Sequence, residues 1–147
     1  MKGLLAALFV VILMYSFGNV YQFTIPIPYL QNLNIRWAGL VLIHISLVWI
    51  IIAQFQMSNN WRIGIDEQNK TDLVTNGLFS ISRNPVFLGM IICVAGLFLV
   101  IPNAISFCIL VTTYIVIQIQ IRLEEEFLKK QHGEQYISYQ SKTRRLL

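Results

Sequence analysis

Residues 37–57 contain no Lys, Arg, Asp or Glu. A helix needs about 20 residues to cross a bilayer at 1.5 Å per residue, so this run is long enough to span one. Three further apolar segments cover residues 3–25, 86–101 and 104–121. The last two are shorter and meet at Pro102-Asn103, which reads as a tight helical hairpin. Pro102 cannot continue a helix, and Asn103 is a suitable cap for the next one. The helix after the hairpin should run past the membrane into the acidic cluster Glu124, Glu125 and Glu126. The expected fold is an all-α integral membrane protein with about four transmembrane helices and a cytoplasmic helical tail. Residues 1–60 would supply two spans. Residues 61–147 would supply a loop, the hairpin and the C-terminal helices, all within one domain.

Composition agrees. Only 12% of residues are charged, against roughly 25% in soluble domains, and mean hydropathy is +0.62. The N-terminus has one Lys before an apolar core, like a secretory signal. No clean small-residue cleavage site follows, so a retained first span is the better reading. The net charge of +4 does not indicate nucleic-acid binding. The basic residues flank apolar spans, leaving no soluble basic face for counterion release. Lys2, Arg62, Lys70, Arg83, Arg122, Lys129, Lys130, Lys142, Arg144 and Arg145 fall on one side of the expected spans, and Arg36 alone falls on the other. The positive-inside rule then places both termini and the 58–85 loop in the cytoplasm. Cys93 and Cys108 lie in apolar runs without metal-type spacing and read as packing residues.

Polar residues with chemical potential gather on the cytoplasmic side. The three adjacent glutamates repel one another. Glu125 and Glu126 precede Lys129 and Lys130 by four residues, a favourable helical pairing; Glu124 has no such partner. The cluster is either a solvated helix end or a site for a cation such as a sulfonium or ammonium. Ligand spacing for a metal is lacking. Arg83-Asn84-Pro85 reads as a helix start, with Asn84 at the cap and Pro85 first in the helix. The preceding LVTNGLFSIS, with Gly77 at a turn, is more than that start requires. A helix N-terminus here could also receive an anion. Residues 122–132 should prolong the fourth helix to a Gly133 cap. A short helix over 134–141 would offer Tyr136, Ile137 and Tyr139 to the headgroup level. His44 and the pair Gln118 and Gln120 are either intramembrane functional groups or hydrogen-bonding packing residues. Trp37, Trp49 and Trp61 read as packing and interface residues.

LVTNGLFSISRNPVFLGM followed by RLEEEFLKKQHGEQYISYQSKTRRLL resembles the isoprenylcysteine carboxyl methyltransferase family, within a broader group that includes phospholipid methyltransferases. The family pattern falls on Gly77-Leu78-Phe79, Arg83 to Gly89, Glu124-Glu125 and His132 to Tyr139. Asn84 stands where the family has His, Phe87 where it has Tyr, and His132 where it has Phe. Residues 61–147 carry the resemblance.

The resemblance implies an S-adenosylmethionine-dependent methyltransferase acting on a lipophilic or lipidated acceptor that enters from the bilayer. A prenylated-cysteine carboxylate is one acceptor the resemblance allows; the residues themselves do not name the acceptor. It further implies cofactor binding by Gly77, Asn84, Pro85, Phe87, Gly89, Glu124, Glu125 and Tyr136, with Arg83 or Arg122 orienting an anionic group. A carboxylate acceptor is already ionised at neutral pH and needs no general base. Alternatives are a phospholipid amine methyltransferase and a non-enzymatic membrane adaptor. Sterol reductases share a similar C-terminal region but are much longer.

Overall fold

The computed structural model describes residues 9–10, 12–13, 15–17, 21–57 and 72–147. The expected first span lies only partly within them, and Trp61, in the loop after the second span, lies outside them. Four α-helices are bounded within the described residues: α1 (Leu33–Met57), α2 (Pro85–Val100), α3 (Ala104–His132) and α4 (Glu134–Lys142). No strand occurs among those residues; only isolated bridges do. The helical reading therefore holds for the described residues.

Two of these helices, α1 and α3, are long and apolar enough to cross a membrane. Val41, Ile45, Val48, Ile52 and Phe55 of α1 are all exposed. Their alternating spacing of four and three residues forms an apolar stripe along one helix face. Helix α2 has 16 residues and reaches only about 24 Å, short of a 30 Å hydrocarbon core. Of the four expected spans, two are thus candidate crossing helices among the described residues and one is a shorter apolar helix, while the first lies only partly within the described residues.

Local chemistry explains the helix ends. Pro85 opens α2, where its missing N–H has no cost and its fixed φ is already helical. The Leu88 amide donates to the Asn84 carbonyl at 3.0 Å, closing the first turn. Asn103 caps α3: its Oδ1 accepts from the Ser106 amide at 2.8 Å, and Ser106 Oγ accepts from the Asn103 amide at 3.2 Å. This reciprocal pair satisfies two orphan donors at a buried helix start. Gly133 ends α3 with φ +52°, its amide donating to the Lys129 carbonyl at 2.9 Å. Glycine reaches that left-handed conformation without a Cβ penalty.

The chain divides into two compact units. The first comprises Met1–Ser46 and Ile91–Val116, the second Leu47–Met90 and Ile117–Leu147. In the first, the α1 and α2 backbones meet at two glycines. A Cβ on Gly39 would lie 2.6 Å from the Gly96 carbonyl oxygen, and one on Gly96 would lie 2.8 Å from that of Gly39. The loop before α1 is tied to the α2–α3 connection. Ile27 donates its amide to the Pro102 carbonyl, and Ala104 donates to the Ile25 carbonyl, both at 3.0 Å.

In the second unit, Trp49 Nε1 donates to the Pro85 carbonyl at 2.9 Å. Gln56 Oε1 accepts from the Leu78 amide at 2.8 Å. The segment before α2 and the C-terminal tail also belong to this unit.

Candidate active site

The second unit brings the Arg83-Asn84-Pro85 corner and the tail together. A short parallel bridge pairs Ser82 with Arg144. The Arg83 amide donates to the Arg144 carbonyl at 2.9 Å. Asn84 Nδ2 donates to the Arg145 carbonyl at 3.0 Å. In chain order, helix α4 lies between α3 and this part of the tail. Its last carbonyls have no intrahelical donors, as at any helix C-terminus. The Arg83 guanidinium meets that end: Nη1 donates to the carbonyls of Gln140, at 3.2 Å, and Thr143. A cation at a helix C-terminus is also favoured by the helix dipole.

Glu125 sits at the centre of this arrangement. It follows Ile117 and Ile121 at four-residue intervals on α3, and all three are buried. A carboxylate buried on such a stripe requires charged partners. Arg83 supplies Nη2 at 2.6 Å and Nε at 3.2 Å to Oε1. Arg145 supplies Nη2 at 2.7 Å to Oε2 and Nε at 3.3 Å to Oε1. Burial pushes the Glu125 carboxyl upward, but the hydrogen bonds and charges of Arg145 and Arg83 more than offset this and hold it below its ordinary value. Arg145 is itself raised, chiefly by its hydrogen bonds to Glu125. The Arg83 and Glu125 side chains are 7% and 6% exposed, whereas Arg145 is 41% exposed.

The three glutamates therefore have different surroundings. Glu126 is exposed and forms the expected helical pair with Lys130, at 3.9 Å. Glu125 does not pair with Lys129, because the two guanidiniums offer charge-assisted bonds to a buried carboxylate. Glu124 is half-buried, with no hydrogen-bond or ion-pair partner among the described residues. It lies beyond the apolar stretch of α3, which ends at Ile121, and burial pushes its carboxyl upward. Tyr136 lies within its electrostatic reach.

Tyr136 and Tyr139 are buried, at 1% and 8% exposure. The expectation that they sit among headgroups is corrected: on α4 they face the corner, and Ile137 alone of the three is exposed. Tyr139 Oη donates to the Phe79 carbonyl at 2.5 Å. Burial is the main cause that pushes both tyrosines up to about 12; the Glu125 carboxylate adds to this at Tyr136, and the Arg83 guanidinium opposes it at both.

The other expected site residues are placed as follows. Gly77 has φ +61°, and a Cβ there would lie 2.5 Å from Gln56 Nε2. A Cβ on Gly89 would lie 2.5 Å from Ile50 Cγ1. At both glycines the close approach is made by a side chain of α1. Asn84 and Pro85 are buried, Phe87 is half-buried and Arg122 is exposed. His44 Nδ1 lies 2.7 Å from the Leu40 carbonyl of its own helix turn. Arg145 was not singled out from the sequence, where it read as one of several topology-setting charges. The signal that could have found it is Glu125 itself, a carboxylate in register with a buried apolar stripe.

The family model of the phospholipid methyltransferases matches residues 34–135. No curated protein matches the chain. The match takes in the corner and the acidic cluster and stops just short of Tyr136. It is to the broad group of membrane methyltransferases and does not single out the isoprenylcysteine branch. Because the matched span covers 102 of 147 residues (34 to 135 inclusive), the chain belongs to the phospholipid methyltransferase family.

Proposed function

We propose that the chain transfers a methyl group from S-adenosylmethionine to a lipophilic acceptor at the membrane surface. Glu124 carries this reading. A half-buried carboxylate with no partner among the described residues is costly, and a cationic ligand would remove that cost. The chemistry of the donor set fits a sulfonium cofactor that also carries an ammonium. When bound, the cofactor would supply an electrophilic methyl group. Glu124 would meet its positive charge, while Tyr136, Asn84 and Pro85 would wall the same region. Catalysis would rest on positioning and on charge management.

For the acceptor, a neutral amine of a phospholipid headgroup is favoured over a prenylated-cysteine carboxylate. Every nitrogen of the Arg83 guanidinium is already engaged by Glu125 or by tail carbonyls. It has little left with which to orient an anionic acceptor. The carboxylate reading would fall to Arg122, which is exposed.

The test uses purified protein in lipid nanodiscs and methyl-labelled S-adenosylmethionine. Label should pass to phosphatidylethanolamine and not to a farnesylcysteine analogue. Transfer to the analogue alone would replace the amine reading by the carboxylate one. Failure of calorimetry to detect S-adenosylhomocysteine binding at millimolar concentration would count against the cofactor itself.

A further inference from the structure

The geometry points to Arg145 as a positioning residue of the methyl-donor site: it closes a guanidinium–carboxylate–guanidinium clasp on Glu125 and so fixes the neighbouring Glu124 beside the corner. The inference rests on the cofactor reading above. Arg145 lies beyond the stretch shared with the family model, which ends at residue 135. Its contacts are of two kinds. Its carbonyl accepts from Asn84 Nδ2 and Ser82 Oγ, which any residue at this position could reproduce. Its guanidinium bonds both oxygens of Glu125, which only arginine can do in this form.

The second guanidinium changes what the acidic pair can do. Arg83 alone engages only Oε1. Without Arg145, Oε2 would have no partner among the described residues, and the tail would lose its charged tie to this turn of α3. Glu124 is one residue away on the same helix, about 100° around and 1.5 Å along the axis. Holding Glu125 from two sides therefore anchors this turn of α3 to the corner and the tail, and Glu124 is positioned with it. The clasp also removes Glu125 from competition for a cationic ligand. The two adjacent acids thus divide their work: one is neutralised within the fold, and one is left to the ligand.

The experiment measures S-adenosylhomocysteine affinity by calorimetry in detergent, well below each variant's melting temperature. Arg145→Ala should weaken binding about tenfold, the scale of one charge-assisted bond. Arg145→Lys should recover part of the loss. In a Glu125→Gln background, Arg145→Ala should have little further effect, because the residue acts through that carboxylate. A purely structural Arg145 would lower the melting temperature and leave affinity unchanged. That result, or an equal loss in both backgrounds, overturns the inference while the cofactor reading stands. Wild-type protein that does not bind S-adenosylhomocysteine overturns both.

Discussion

The phenolic hydroxyl of Tyr139 donates to the backbone carbonyl of Phe79, 60 residues earlier in the chain, at 2.5 Å. Both residues are buried. Tyr139→Phe leaves a buried carbonyl without its donor, which costs about 1–3 kcal/mol. Thermal unfolding in detergent should show a lower midpoint for this variant. Ser141→Ala removes only a hydroxyl bonded within its own exposed turn and should leave the midpoint unchanged.

Glu125 and Glu126 are neighbours with opposite expected outcomes. Glu125→Ala leaves the Arg83 guanidinium buried without its counter-charge, a loss of about 3–5 kcal/mol. Glu126→Ala breaks an exposed pair at 3.9 Å and should change stability by no more than about 0.5 kcal/mol. Denaturant titration of the two variants side by side tests the contrast.

Tyr136 and Tyr139 are raised to about 12 from an ordinary 10.0. As pH rises, the unfolded chain loses these protons first. Their contribution to stability is therefore complete below about pH 10 and disappears between about pH 10 and pH 12. Glu125 has the opposite sign, since its folded carboxyl lies below the ordinary 4.5. Its contribution is present above about pH 4.5 and fades as pH falls below that value. Unfolding midpoints across pH should show both limbs. Tyr136→Phe should flatten the alkaline limb, and Glu125→Gln the acid one.

Gly39 and Gly96 pack backbone against backbone, so an added methyl first meets a carbonyl oxygen that cannot rotate aside. Gly96→Ala should cost about 1–3 kcal/mol. Gly89→Ala meets the Ile50 side chain, which can rotate, and should cost less. Unfolding by denaturing detergent would rank the two.

Much of the fold could be read from local sequence. Pro85 at a helix start, Asn103 at a cap and Gly133 at a helix end are each set by nearby backbone needs, and each is found where expected. Residues whose role depends on distant partners were read less well. Local spacing assigned Glu125 to Lys129, because the four-residue rule sees only its own helix. The actual partners are 42 residues before and 20 after. At Gly77 and Gly89 the resemblance implies cofactor binding, and the sequence does not show that Gln56 and Ile50 of α1 will lie against them. Tyr136 and Tyr139 suit a headgroup layer by residue type alone; their burial depends on the tail returning to the corner.

The bond from Trp49 to the Pro85 carbonyl gives the molecule a built-in optical reporter. An indole N–H held by a carbonyl fluoresces at a wavelength that shifts when the acceptor moves away. With Trp37 and Trp61 replaced by phenylalanine, a single emitter would remain beside the first turn of α2. Changes at that turn could then be followed in real time without attaching a dye.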